Sequence, residues 1–109
     1  MPSRFRMTNT AFLILAAVAD VERHGYGIIQ EVRELSHGSV DLGAGTLYGS
    51  LERLSDHGLI TATREAVVDG RLRRYYRITE IGRTAVVQQA DRQESTASAV
   101  RLRLAGSHR

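Results

Sequence analysis

The chain has 109 residues, with 15 basic and 12 acidic side chains and a formal charge of +3; every base is arginine, and there is no lysine and no cysteine. That length suits one compact domain, and 42% apolar residues beside 25% charged ones exclude wholesale disorder. Without cysteine, neither a disulfide framework nor a thiolate metal site can form.

Residues 1–20 imitate a secretory signal, with Arg4 and Arg6 ahead of an apolar run over 11–19 and the Ala17-Val18-Ala19 triplet in the place of a cleavage site. That run is too short to cross a bilayer, which takes about 20 residues, and its removal would strip apolar surface that a chain this short needs for its core. The preferred reading is therefore a buried first helix in an uncleaved, cytoplasmic chain with no membrane partner. Thr8 or Thr10 would be its N-cap, with Phe12, Leu13, Leu15 and Val18 following.

Residues 21–24 read as a polar connection. A second helix is expected over 25–36, with Ile28, Ile29, Val32 and Leu35 at helical spacing and Gly38 just past its end. Gly25 and Gly27 weaken its first turn or admit a second backbone at close range. After a turn over 38–43, the third helix is expected over 44–57. Leu47, Leu51 and Leu54 make its inward face, Thr46, Ser50, Arg53 and His57 a polar stripe, and Gly58 its left-handed cap.

Thr, Val and Ile over 59–67 predict a strand, and Val68-Asp69-Gly70 a hairpin turn. The returning strand, 71–79, places Leu72, Arg74, Tyr76 and Ile78 on one side and Arg71, Arg73, Tyr75 and Arg77 on the other, the latter expected to be exposed. A last helix is expected over 79–104, where Val86, Ala90, Gln93, Ala97, Val100 and Leu104 form an a/d seam. A partner helix from a second chain would bury that seam; packing back on the first helix is the alternative. Residues 105–109 are expected to fray.

Charge is unevenly placed. Residues 1–70 carry six arginines and nine acids, net −3, whereas residues 71–109 carry nine arginines and three acids, net +6. Four of those arginines, at 71, 73, 74 and 77, surround Tyr75 and Tyr76. Guanidinium forks suit phosphate oxygens and guanine edges.

Enzymatic chemistry is not indicated. The glycines at 43, 45 and 49 lack the preceding strand and the spacing of a phosphate loop. The histidines at 24, 37, 57 and 108 lack metal-ligand spacing, and there is no nucleophile motif. No catalytic residue, metal or cofactor is expected.

Three helices, a two-stranded β-ribbon with a basic tip and a long helix make a mainly α (α+β) fold: a winged helix-turn-helix, 8–79, with a C-terminal dimerisation helix, 79–104. In that arrangement the third helix enters the major groove and the wing grips phosphates or the adjacent minor groove. The polar stripe adds Ser50 and Arg53 as DNA contacts, although Arg53 serves equally well as a structural ion-pair partner.

The segments His24-Gly25-Tyr26-Gly27-Ile28, Gly45-Thr46-Leu47-Tyr48 followed by Leu51, Arg53 and Leu54, Gly58-Leu59-Ile60, and Arg74-Tyr75-Tyr76-Arg77-Ile78-Thr79-Glu80 with Gly82-Arg83 resemble, in that order, the PadR family of bacterial transcriptional regulators. The resemblance covers about residues 10–104 and is to the members with a single C-terminal helix. It implies a homodimeric repressor of inverted-repeat operators in double-stranded DNA. It further implies phosphate contacts from the Tyr26 and Tyr48 hydroxyls, Thr46 at the start of the recognition helix, and Arg71, Arg73 and Arg74 on the wing. The last-helix seam and Phe12 would form the dimer interface. Two features depart from the family. Ala44 and Gly43 stand where proline and a serine cap are common, which loosens the start of the recognition helix. Some members hold flat aromatic drugs between tryptophans, but this chain has no tryptophan and no aromatic residue after Tyr76, leaving Phe12 to line any small-molecule effector site. A winged helix serving as a protein-interaction module, without an operator, is the alternative.

Overall fold

The computed structural model describes residues 5–106, so Arg4 and His108 lie outside the described residues, as does most of the segment expected to fray. Helix α1 spans Asn9–Ala17, strand β1 Arg23–His24, α2 Gly25–Leu35, α3 Ala44–Asp56, β2 Ile60–Val68, β3 Arg71–Ile78 and α4 Glu80–Gly106.

Each helix start has a local chemical cause. Of the two threonines considered for α1, Thr8 is the cap: its hydroxyl accepts from the Ala11 N–H at 3.0 Å. The apolar run that mimics a signal sequence is core, with Ala11, Leu13, Ile14, Leu15, Ala17 and Val18 all buried. His24 caps α2 by accepting the Gly27 N–H on Nδ1 at 3.2 Å. Gly43 caps α3 with backbone geometry alone, no side chain contributing a hydrogen bond. Helix α3 still begins at Ala44, because Leu47, Leu51 and Leu54 are all driven into the core.

The end of α3 is a Schellman motif. Gly58 takes φ +74°, its N–H donates to the Ser55 carbonyl at 3.0 Å, and the Leu59 N–H reaches back to Leu54 at 2.9 Å. Leu54 and Leu59 are both buried, so the chain turns sharply without exposing apolar surface. In α2, Ile28 and Val32 are buried but Leu35 is not, so the inward face stops one turn short of the helix end.

The sheet departs from the expected two-stranded ribbon. It has three antiparallel strands in the order β1-β3-β2, because residues 23 and 24, expected to be a polar connection, pair with Tyr76 and Tyr75. A two-residue strand has no periodicity of its own and exists only because β3 offers it a free edge. The arginine-rich β3 is thus the central strand. At the hairpin, Asp69 (φ 51°) and Gly70 (φ 76°) are both left-handed, as a turn matched to strand twist requires. Between Ala62 and Arg64 the register shifts, leaving Thr63 as a bulge. Its hydroxyl donates to Glu22 Oε2 at 2.6 Å, and Arg64 Nε donates to the same carboxylate.

Thr79 fastens the last helix to this scaffold. Its hydroxyl donates to the Gly58 carbonyl at 2.5 Å and accepts the Gly82 N–H at 3.1 Å. Gly82 lies against the chain: a Cβ there would sit 2.1 Å from the Leu59 carbonyl oxygen and 2.7 Å from Ile78 Cγ1. Beyond this point Ala85 and Val86 pack on the core, while Ala90, Gln93, Val100 and Leu104 are exposed. Packing back onto the first helix therefore covers only the start of the seam. The helix runs 27 residues, about 40 Å, and extends to Gly106, past the expected boundary at 104.

Candidate nucleic-acid interface

The outer surface of α3 begins with Ala44, Gly45 and Thr46, all exposed, and continues with Tyr48, of which about half (52%) is exposed. A Cβ at Gly45 or Gly49 would meet nothing within 4 Å, so this side of the helix is flat and open. Tyr48 lies across the start of α2, where its hydroxyl oxygen is 2.7 Å from the point a Gly25 Cβ would occupy. Gly25 thus leaves the room in which α2 and α3 cross, the close-approach reading of that glycine.

Tyr26, 54% exposed, projects from the first turn of α2. The Arg73 guanidinium stands 6.0 Å from its ring centroid. Arg73 Nε is buried without a hydrogen-bond partner. The result is one tyrosine ring and one guanidinium at the positive end of a helix, with the Tyr48 hydroxyl reaching the same turn from α3, an arrangement that suits an anionic oxygen. Burial of His24, with the Arg73 charge nearby, pushes its imidazole below the ordinary histidine value. The neutral ring is the form that can accept the Gly27 N–H.

The two sides of β3 match the expected faces only in part: Arg71 and Arg77 are exposed on one and Ile78 is buried on the other. Tyr75 and Arg73 are half-buried, whereas Leu72 and Arg74 are exposed. Tyr75 is held between His24, whose ring meets it edge-on at 5.3 Å, and Arg64, whose guanidinium lies 3.9 Å from its centroid. Arg64 is in turn held by Glu22, whose carboxyl is kept below its usual range by the Thr63 hydroxyl and Arg64. Glu22, Arg64, Tyr75 and His24 therefore link the wing to the start of α2. Sequence reasoning missed this set, because its members lie on three strands and connections and share no spacing. The only local sign was His24 in a cap position just ahead of Gly25.

Of the residues expected to contact DNA, Tyr26 and Arg73 meet, Tyr48 reaches Gly25 at the start of α2 from the side of α3, and Thr46 sits on the exposed start of α3. Arg71 and Arg74 are exposed farther along the ribbon. Ser50 and Arg53 lie elsewhere, bordering a shallow recess with Phe5, Arg6 and Thr8 on the flank of α3 beside the N-terminal segment. On the opposite flank an open cleft of about 490 Å³ separates α3 from the sheet, lined by Tyr48, Glu52, Ser55, Asp56, Arg74 and Tyr76 among others. The carboxylates of Glu52 and Asp56 make that cleft a poor phosphate site despite its size. Among the interface residues expected, Phe12, Val86 and Ala97 are half-buried, and Ala90, Gln93, Val100 and Leu104 exposed.

A sequence model of the transcriptional regulator PadR-like family matches residues 14–88, which span α1 to the first turns of α4. The chain belongs to that family. It is 41% identical over 84 residues, 77% of this chain and 75% of the relative, to Transcriptional regulator Rv3488 of Mycobacterium tuberculosis. Among solved structures it is similar to a PadR family transcription regulator from Clostridium difficile R20291, at a TM-score of 0.76 and 23% identity over 89% of this chain and 99% of that one. It also resembles Bacillus subtilis PadR in complex with operator DNA, with a TM-score of 0.67 and 22% identity, covering 78% of this chain and 48% of that one. These likenesses agree with the winged-helix fold and its long C-terminal helix. PadR-like regulators are not enzymes. No helix among the described residues is long and apolar enough to cross a membrane.

Proposed function

We propose that this PadR-like transcriptional regulator is a homodimeric, sequence-specific DNA-binding repressor that acts in the cytoplasm on an inverted-repeat operator. The observation that carries the reading is the pairing of Arg73 with Tyr26 at the start of α2, with Tyr48 packed on Gly25 of the same turn, beside the open N-terminal surface of α3. Such a cluster anchors a backbone phosphate while α3 presents Thr46 to base edges in the major groove. The operator complex of Bacillus subtilis PadR supports the same use of a similar fold. Arg71 and Arg74 extend the phosphate track along the wing, and Ser50 and Arg53 add contacts on the far flank of α3.

Dimerisation is supported by α4, where Ala90, Gln93 and Val100 of the seam stay exposed among the described residues. Two chains related by a two-fold axis present two copies of α3 to two half-sites, which is why the operator is read as an inverted repeat. Release by a small-molecule inducer belongs to the same reading, with Phe12 as the aromatic contact at the dimer seam.

The test is a mobility-shift titration with promoter fragments, together with the mass of the free protein in solution. A dimer mass and retention at nanomolar protein are expected, with affinity falling roughly 10³-fold between 50 and 200 mM salt as phosphates are neutralised. Arg73→Ala weakens binding to all sequences, whereas Thr46→Ala changes the preference among them. If neither substitution altered DNA binding, the reading would be wrong.

A further inference from the structure

Val67 on β2 and Leu72 on β3 are cross-strand partners one residue pair from the hairpin end. Both stand in solvent, at 71% and 67% exposure. They share a face with the Glu65–Arg74 pair, two residues behind on each strand, and, across the Thr63 bulge that absorbs one residue of β2, with the Ala62–Tyr76 pair. Arg74 and Tyr76 line the cleft opposite Tyr48 and Glu52 of α3. The Val67–Leu72 face is therefore the face of the ribbon turned toward the recognition helix.

We propose that the paired Val67 and Leu72 side chains form an apolar edge that seats against the deoxyribose walls of a DNA minor groove, giving the wing a share of affinity that does not depend on salt. The inference rests on the DNA-binding reading above and extends it to residues that carry no charge. Neither side chain contributes to the core, which is assembled from α1, α2, α3 and the body end of the sheet. A solvent-facing hairpin position ordinarily takes a polar residue, and here both members of one pair are aliphatic. The choice of occupant follows from charge. Arg71 and Arg73 flank Leu72 in the chain and Arg74 follows, so a second copy of this tip would be repelled, whereas a polyanion is attracted. Minor-groove proteins commonly combine arginines with aliphatic side chains set against the sugars or between base steps.

The stabilising effect of a cross-strand aliphatic pair on the hairpin itself is the competing account. A Val67→Thr/Leu72→Thr variant separates the two, because threonine keeps strand preference while removing the apolar edge. The probe is a duplex recovered by the wild-type protein from a pool of random 30-base-pair sequences. The variant is expected to melt with the wild type and to bind that duplex about tenfold more weakly at every salt concentration, with the slope of log affinity against log salt unchanged. Arg71→Ala, in contrast, flattens that slope by about one. A dissociation constant within twofold of wild type overturns the proposal, as does a variant that loses dimer mass in the absence of DNA, which would assign the edge to a second copy. Recovery of no duplex by the wild-type protein would instead overturn the DNA-binding reading beneath it.

Discussion

The two longest helices treat their apolar residues in opposite ways. Helix α3, with 13 residues, sets Leu47, Leu51 and Leu54 into the core and leaves its other side flat and exposed. Helix α4, with 27 residues, buries only Gly82 and holds Val100, Leu102 and Leu104 in solvent. A helix whose apolar face is satisfied within its own chain can spend its outer face on a polar ligand. One with aliphatic residues exposed along its length gains by meeting another apolar surface, since shedding contact with water is the main favourable term. The contrast separates a helix free to face a polar ligand from one that leaves aliphatic surface in solvent.

The contrast is broken most severely at the single buried position of α4. Gly82→Ala puts a methyl 2.1 Å from a backbone oxygen, and backbone cannot step aside as a side-chain end can. We expect a loss of about 3 kcal/mol or more, read as a lowered thermal midpoint. A retained midpoint would mean that α4 is not fastened at Leu59.

The second prediction sets the helices against each other. Leu51→Ala removes a core side chain and should cost about 2–5 kcal/mol at any protein concentration. Val100→Asp should leave the fold of the isolated chain intact but shift the mass measured by light scattering from dimer toward monomer. Equal effects of the two on mass would erase the distinction between α3 and α4.

The smallest expected effect sharpens the reading side. The His24 pKa in the folded chain lies below its unfolded value of about 6.5. The unfolded chain then takes up the proton first, so the contribution to stability is fully present above that value and is lost as pH falls through the folded pKa. His24→Asn keeps a side-chain acceptor for the Gly27 N–H and removes the titration. Thermal midpoints measured from pH 8 to pH 5 should fall less for the variant than for the wild type. Parallel curves would remove His24 from the wing-to-α2 linkage.

Much of the architecture was legible before any coordinate. The leucines of α3, the Gly58 cap, the Asp69-Gly70 turn and the Thr8 cap are local signals, each decided by residues within a turn or two of one another. Their boundaries shifted by a residue or two, as with Asp56 in place of His57 and Ile60 in place of Leu59, because helix and strand ends depend on what they dock against. The arginines and tyrosines of the candidate interface were also visible as types, and of these Arg73 and Tyr26 stand against each other.

What escaped the sequence was decided by partners distant in the chain. Residues 23 and 24 become a strand only because β3 lies beside them, and that pairing, with the Thr63 bulge, turns Arg64 and Tyr75 from apparent surface charge and ornament into supports. Alternation along β3 separated its two faces, but it did not show that Arg73 and Tyr75 would be partly covered on one and Leu72 left in solvent on the other, since a period of two says nothing of how far along the strand other elements pack. Composition and local spacing determined that this chain would be a charged, winged arrangement of short helices with one helix to spare. Only the tertiary structure decided which arginine is held against a helix N-terminus, which leucine is left in solvent at the wing tip, and where the long helix ceases to be covered. Those outcomes depend on contacts between distant segments, Arg23 with Tyr76 and α1 with α4, and no local window along the sequence contains both partners.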